Sequence, residues 1–192
     1  ELLKVHRTGR SEVVRVPGSA NFLLPEATQR FLDVTHERYA DAVGEYFGSC
    51  VRAIFTDEPS LAYQHSSAVP EDGAWLLKWS PVLDAALGGD FRERLAARED
   101  VEHWTGWRDY WAALTDVFHD SWTQPIARWC RQHGIALTGH FLSEDHYGGQ
   151  VAANGSLRRQ LAALDMPGID EIATRATPGT CEGCASSICR IG

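Results

Sequence analysis

Val51-Arg52-Ala53-Ile54-Phe55-Thr56-Asp57-Glu58-Pro59 is the stretch on which the reading of this chain turns. A β-prone run is closed by two acids and a proline. Proline cannot continue a hydrogen-bonded ladder, so the run predicts a strand ending at an exposed mouth that carries Asp57 and Glu58. A second stretch, Ile135-Ala136-Leu137-Thr138-Gly139-His140, repeats the plan and delivers a histidine where the first delivers acids. In the first strand Val51, Ala53 and Phe55 form the set expected to pack against helices, with Arg52, Ile54, Thr56 and Glu58 opposite. In the second, Ile135 and Leu137 face outward, and Ala136, Thr138 and His140 inward. Alternation with period two thus predicts that Glu58 and His140 point into one mouth. Glu144 and Asp145 follow on the loop just beyond.

Helical patterns separate these strands. Pro25 and Glu26 suit a first helical turn, and Leu32, Thr35, Tyr39, Val43 and Tyr46 recur at helical spacing up to Phe47, with Gly48 as the stop. Trp107, Trp111, Leu114, Phe118, Trp122, Pro125 and Trp129 form one apolar stripe on a helix from Trp104 to His133. Pro125 should bend it, and Gly134 should close it. A short helix is expected from Asp90 to Ala97, and another from Leu157 to Leu164, capped at Ser156. Further strands are expected at Glu12–Val16, ended by Pro17-Gly18, and within Met166–Asp170. Residues 60–90 read as a long functional loop. Strands alternating with helices predict parallel βα units in a single domain, 1–192, whose residues 173–192 form an atypical cysteine-rich tail.

Composition narrows the function. With 18 Lys+Arg against 26 Asp+Glu the net charge is −8, which argues against binding the phosphates of nucleic acid. No stretch approaches the roughly 18–20 apolar residues of a membrane span. The chain is therefore expected to be soluble, cytoplasmic or secreted. Cys50 and Cys130 read as buried free thiols. Cys181, Cys184 and Cys189 lack a fourth ligand for a closed zinc site, although a metalloprotein using that tail is one reading. No H-E-x-x-H, P-loop or G-x-S-x-G is present.

Carboxylates at adjacent strand ends are what glycoside hydrolysis requires: one carboxyl donates a proton to the leaving oxygen, and the other serves as base or nucleophile. Glu58 and Glu144 are the candidates, with Asp57 and His140 beside them. Trp75 and Trp79, in the long loop, could stack on the apolar face of a sugar or anchor the loop on the core. A calcium ion could use Asp57, Glu58, Glu144 or Asp145.

Asn21-Phe22-Leu23, Phe31-Leu32-Asp33-Val34-Thr35-His36-Glu37-Arg38-Tyr39, Gly44-Glu45-Tyr46-Phe47-Gly48, Ile54-Phe55-Thr56-Asp57-Glu58-Pro59 and Leu137-Thr138-Gly139-His140 occur in this order. Glu144, Gln150, Ala153-Asn154-Gly155 and Met166-Pro167-Gly168-Ile169-Asp170 complete the series. Together they resemble glycoside hydrolase family 106 over about residues 20–172. The resemblance implies a bacterial enzyme with a (β/α)8 TIM-barrel catalytic domain, α-L-rhamnosidase-like activity with inversion, carboxylate catalysis and a calcium requirement. It implicates Glu58 and Glu144 as catalytic carboxylates, with Asp57 and His140 binding sugar or metal. Because such a barrel typically needs about 250 residues, a partial barrel is expected, whose open edge favours a homo-oligomer. The alternative is a catalytically inactive carbohydrate-binding or scaffold fragment of the same fold.

Overall fold

The structure is a computed structural model that describes residues 2–6, 10–15, 20–61, 74–96, 101–144 and 147–170. Its first strands, β1 (Leu2–Val5) and β2 (Ser11–Val14), pair antiparallel, with Leu2 opposite Val14 and Val5 opposite Ser11. A connection this short permits no parallel crossover. Two helices follow, α1 (Pro25–Val34) and α2 (His36–Val43). The single helix expected up to Phe47 is interrupted at Thr35, whose hydroxyl donates to the Phe31 carbonyl and lies 2.9 Å from His36 Nδ1. A side chain that bonds its own helix in this way competes with the regular ladder.

β3 (Ala53–Thr56) is the strand of the opening stretch. β4 (Trp75–Lys78) then pairs antiparallel with β1, Leu3 opposite Leu77. Next come α3 (Pro81–Leu87) and α4 (Phe91–Ala96), so residues 74–90 are a strand and a helix rather than the expected loop. Ser80 caps α3, accepting from the Leu83 N–H at 3.1 Å and donating to the Leu23 carbonyl at 3.3 Å. α5 (Val101–Phe118) runs through a π-helical turn, His119–Thr123, into α6 (Gln124–Gln132). Pro125 has no N–H for the ladder and its ring crowds the preceding turn. The wide π turn just before α6 places Pro125 in the first turn of a new helical segment, where its missing N–H breaks no regular ladder.

β5 (Ala136–Gly139) pairs parallel with β3, Phe55 opposite Thr138 and Thr56 opposite Gly139. After α7 (Tyr147–Asn154) and α8 (Leu157–Leu161), β6 (Met166–Pro167) joins β5, again parallel. α7 has no counterpart among the elements expected from the sequence pattern. The described strands thus form two open three-stranded sheets, antiparallel β2-β1-β4 and parallel β3-β5-β6. This overturns the partial (β/α)8 TIM barrel. A barrel needs every strand parallel and the sheet curling towards closure, whereas β1, β2 and β4 pair antiparallel in a sheet of their own. Only the parallel βα expectation for β3, β5 and β6 holds.

The core lies along the α5–π–α6 rod, where Tyr110, Leu114, Phe118, Trp122, Ile126 and Trp129 are buried. Trp122 packs against Phe22 and Phe31, with ring centroids 4.2 and 5.1 Å away. Trp129 stacks on His133 at 3.8 Å and donates to Glu37 Oε1 at 2.6 Å. Of the two thiols expected inside, Cys130 is buried but Cys50 is exposed, since it sits in the turn before β3 rather than in the strand. The turn at Pro17-Gly18, the acid Asp145 and the tail 173–192 with its three cysteines lie outside the described residues. No described helix is long and apolar enough to cross a membrane.

Lys78, at the end of β4, carries an unusual charge. Burial pushes its ammonium down to about 8. The unfolded chain holds that proton up to about pH 10.4. Between these values the unfolded state binds more protons, so stability rises with pH, and the full penalty applies below about pH 8. Lys78→Met is expected to raise stability at neutral pH by about 1 kcal/mol, a figure reduced for the partial exposure of the group. It should also remove the rise towards roughly pH 10. Urea midpoints of both proteins at the two pH values check this.

Candidate functional site

The parallel sheet ends in a cluster of acids around one histidine. His140 follows Gly139 at the exit of β5 and is only 6% exposed. Its backbone N–H donates to the Thr56 carbonyl at 3.2 Å, which locks it to the exit of β3. The side chain lies 3.1 Å from Asp57 through Nε2 and 3.5 Å from Glu144 Oε1 through Nδ1. Asp57 is open to solvent, its side chain 78% exposed, whereas Glu144 is 4% exposed.

Glu58 reaches this cluster by a route that strict alternation does not provide. The register sets Ile54 beside Leu137 and Phe55 beside Thr138, so Phe55, Thr138 and His140 share one face. On that face Asp57, not Glu58, is the natural companion of His140. The expected assignment of Phe55 to the helix-packed side is likewise reversed. Phe55 is 60% exposed with its ring 5.6 Å from that of His140, and Ile54 packs on the core. Glu58 leaves the strand with φ of +49°, a left-handed conformation uncommon for a residue with a Cβ. The turn breaks the alternation, and the Glu58 carboxylate arrives beside His140. Both acids of the Asp57-Glu58 pair thereby serve one site.

The third member is Asp170, just beyond β6. One donor atom each from Glu58, His140 and Asp170 lies within 4.8 Å of the others. Sequence reasoning did not single Asp170 out. The signal was present: it follows Met166-Pro167-Gly168-Ile169 at the exit of a third parallel strand, the position that Glu58 and His140 occupy on β3 and β5.

Glu144 holds the mouth together from within. Its Oε1 accepts the Phe141 N–H at 3.0 Å and its Oε2 the Asp170 N–H at 3.2 Å. Burial pushes its carboxyl above the ordinary carboxylate value, while those two N–H groups and His140 pull it back. α7 braces both loops of the mouth. Gln150 donates to the Glu144 carbonyl, Asn154 to the Leu142 carbonyl at 2.8 Å, and the Leu61 N–H to the Ala153 carbonyl at 2.6 Å.

Trp75 and Trp79 are placed differently. Trp75 lies in β4, edge-on to Trp107 at 5.7 Å, and Trp79 donates to Asp84 Oδ1 at 3.3 Å. Both pack on the core and belong to the antiparallel sheet and its exit. Anchoring is therefore the role their contacts describe. Calcium takes six to eight oxygen ligands, and the described donors at the mouth match that demand only in part. A histidine nitrogen stands at the centre, and both oxygens of Glu144 are engaged by backbone N–H groups. Comparison with protein-family models, with curated proteins and with solved structures gives no match.

Proposed function

We propose that the mouth of the parallel sheet hydrolyses a glycosidic bond by general acid–base catalysis, with Glu58 as the carboxylate presented to the sugar. The observation that carries this reading is the convergence of Glu58, His140 and Asp170 at the exits of three adjacent parallel strands. Folds with parallel strands bind ligands beyond the carboxyl ends of those strands. The motif resemblance to α-L-rhamnosidase-like glycoside hydrolases adds the substrate class. Asp57, exposed and paired with His140, is the residue available to a sugar hydroxyl. Glu144 acts here as a positioning residue, since its oxygens are bound to the backbone of the two loops that carry His140 and Asp170.

The sequestration of Glu144 favours one second reading. A mouth with fewer free carboxyls would bind carbohydrate without cleaving it. Turnover of a panel of aryl glycosides by wild type and Glu58→Gln separates the two. Removal of an acid–base carboxylate is expected to lower kcat/KM by about 10²–10⁴-fold. Equal rates for the two proteins would remove Glu58 from the chemistry, and sugar binding without turnover in wild type would establish the binding module.

A further inference from the structure

We propose that Glu58, His140 and Asp170 form a binding site for a divalent d-block ion of the zinc class, and not for calcium. Three observations support it. The first is the donor set: two carboxylates and one imidazole, each offering an atom within 4.8 Å of the other two. Ligand atoms around an ion at about 2.1 Å stand roughly 3–4 Å apart, so the cluster needs only a small contraction to close on one. Imidazole nitrogen with carboxylate oxygen is the ligand chemistry of zinc and its neighbours, whereas calcium takes oxygen alone.

The second observation is an unpartnered buried nitrogen. His140 Nδ1 has no hydrogen-bond partner, although the side chain is 92% buried, its relative exposure being 8%. A buried polar atom without a partner costs about 1–3 kcal/mol, and native structures contain few of them. Nε2 lies 3.1 Å from Asp57 Oδ1, while Nδ1, 3.5 Å from Glu144 Oε1, makes no hydrogen bond and so keeps a lone pair to offer. A histidine that binds a metal through one nitrogen and donates the other N–H to a carboxylate is the usual arrangement of such sites. Asp57 fills that outer role here.

The third observation is how the cluster is supported. Glu144 ties Asp170 to the His140 loop through two backbone N–H groups, and α7 braces the same loop. The three ligands are therefore held on a common frame before any ion arrives. This deepens the glycoside reading by naming what its site holds. A carboxylate has two oxygens, so Glu58 can give one to the ion and keep the other for a substrate.

Titration calorimetry on chelator-treated full chain, with zinc and then calcium chloride as probes, tests the proposal. Zinc is expected to bind one to one, and calcium at the same concentrations to give no heat. Asp170→Asn, at an exposed position that does not threaten folding, should weaken zinc at least tenfold. His140→Ala should weaken it further, with circular dichroism reporting whether that variant folds. The cobalt(II) form should lack a thiolate charge-transfer band, as nitrogen and oxygen ligation requires. Absence of zinc binding, a preference for calcium, unchanged affinity in Asp170→Asn, or a thiolate band would each overturn the site. Zinc binding without glycoside turnover would remove only the hydrolase reading. Glu58-dependent turnover without zinc binding would remove only the ion.

Discussion

Gly139→Ala is expected to lower stability by about 4 kcal/mol or more, among the largest effects a single methyl group can produce. Gly139 has φ of +135°, where a side chain is strained in any surroundings. There is also no room. A Cβ at this position would lie 2.1 Å from the Thr56 carbonyl oxygen and 2.8 Å from the Thr56 nitrogen, both backbone atoms of the neighbouring strand. Neither can move without parting β3 from β5. On the other side the Gly139 carbonyl accepts the Gly168 N–H at 2.7 Å, so the same displacement loosens β6. Glu58, His140 and Asp170 hang from these three strands, and their convergence should be lost with the pairing. Gly44→Ala provides the control. Gly44 has helical angles, φ −58° and ψ −27°, and a Cβ there meets nothing within 4 Å. That change should stabilise by about 0.4–1 kcal/mol. Urea denaturation of both variants decides the matter. A Gly139→Ala protein as stable as wild type would mean that the strands do not approach as described.

Local signals foretold much of the fold. Proline after Asp57-Glu58 marked the end of β3, the tryptophan stripe marked the long rod, and Gly134, with φ of +69°, closed it as expected. Pairing partners were a different matter. β1 and β4 are short, and what makes them strands is each other: Leu3 and Val5 are buried against a sheet whose third strand lies some seventy residues away in the chain. No local period reports such a pairing, because in strands it is packing against neighbours that decides. The barrel expectation failed for this reason. It extended the parallel order of β3, β5 and β6 to strands whose partners the local pattern could not reveal.

The site was legible in its residue types and not in its geometry. Asp57, Glu58, His140 and Glu144 all lie at the mouth, yet the reason advanced for Glu58 was incorrect. Alternation sends it to the face opposite His140, and the positive φ at Glu58 brings it back. A backbone excursion of that kind has no period to detect. Trp75 and Trp79 qualify as sugar-stacking candidates only as residues of a loop. Once Trp75 belongs to a paired strand, its edge contact with Trp107 accounts for it. The division of labour between Glu58 and Glu144 was equally hidden, since it depends on which carboxylate the backbone engages.

That division yields the second large effect. Glu144→Ala is expected to cost about 2 kcal/mol, as the buried N–H of Phe141 and the half-buried N–H of Asp170 lose their acceptor at once. Part of the loss is offset because a carboxyl that burial disfavours as an anion is also removed. Glu144→Gln separates shape from hydrogen bonding. Glutamine fills the same space, but only its oxygen accepts, so one N–H would face the amide NH₂, donor against donor. The glutamine variant should therefore recover only about half of the alanine deficit. Its effect should also reach the ligands. With Asp170 untethered, zinc affinity is expected to fall by roughly tenfold even though no proposed ligand has changed. Equilibrium unfolding and zinc titration of the same two variants supply both readouts. A glutamine variant matching wild type in both would show that Glu144 merely fills volume, and the support assigned to it at the mouth would have to come from α7 alone.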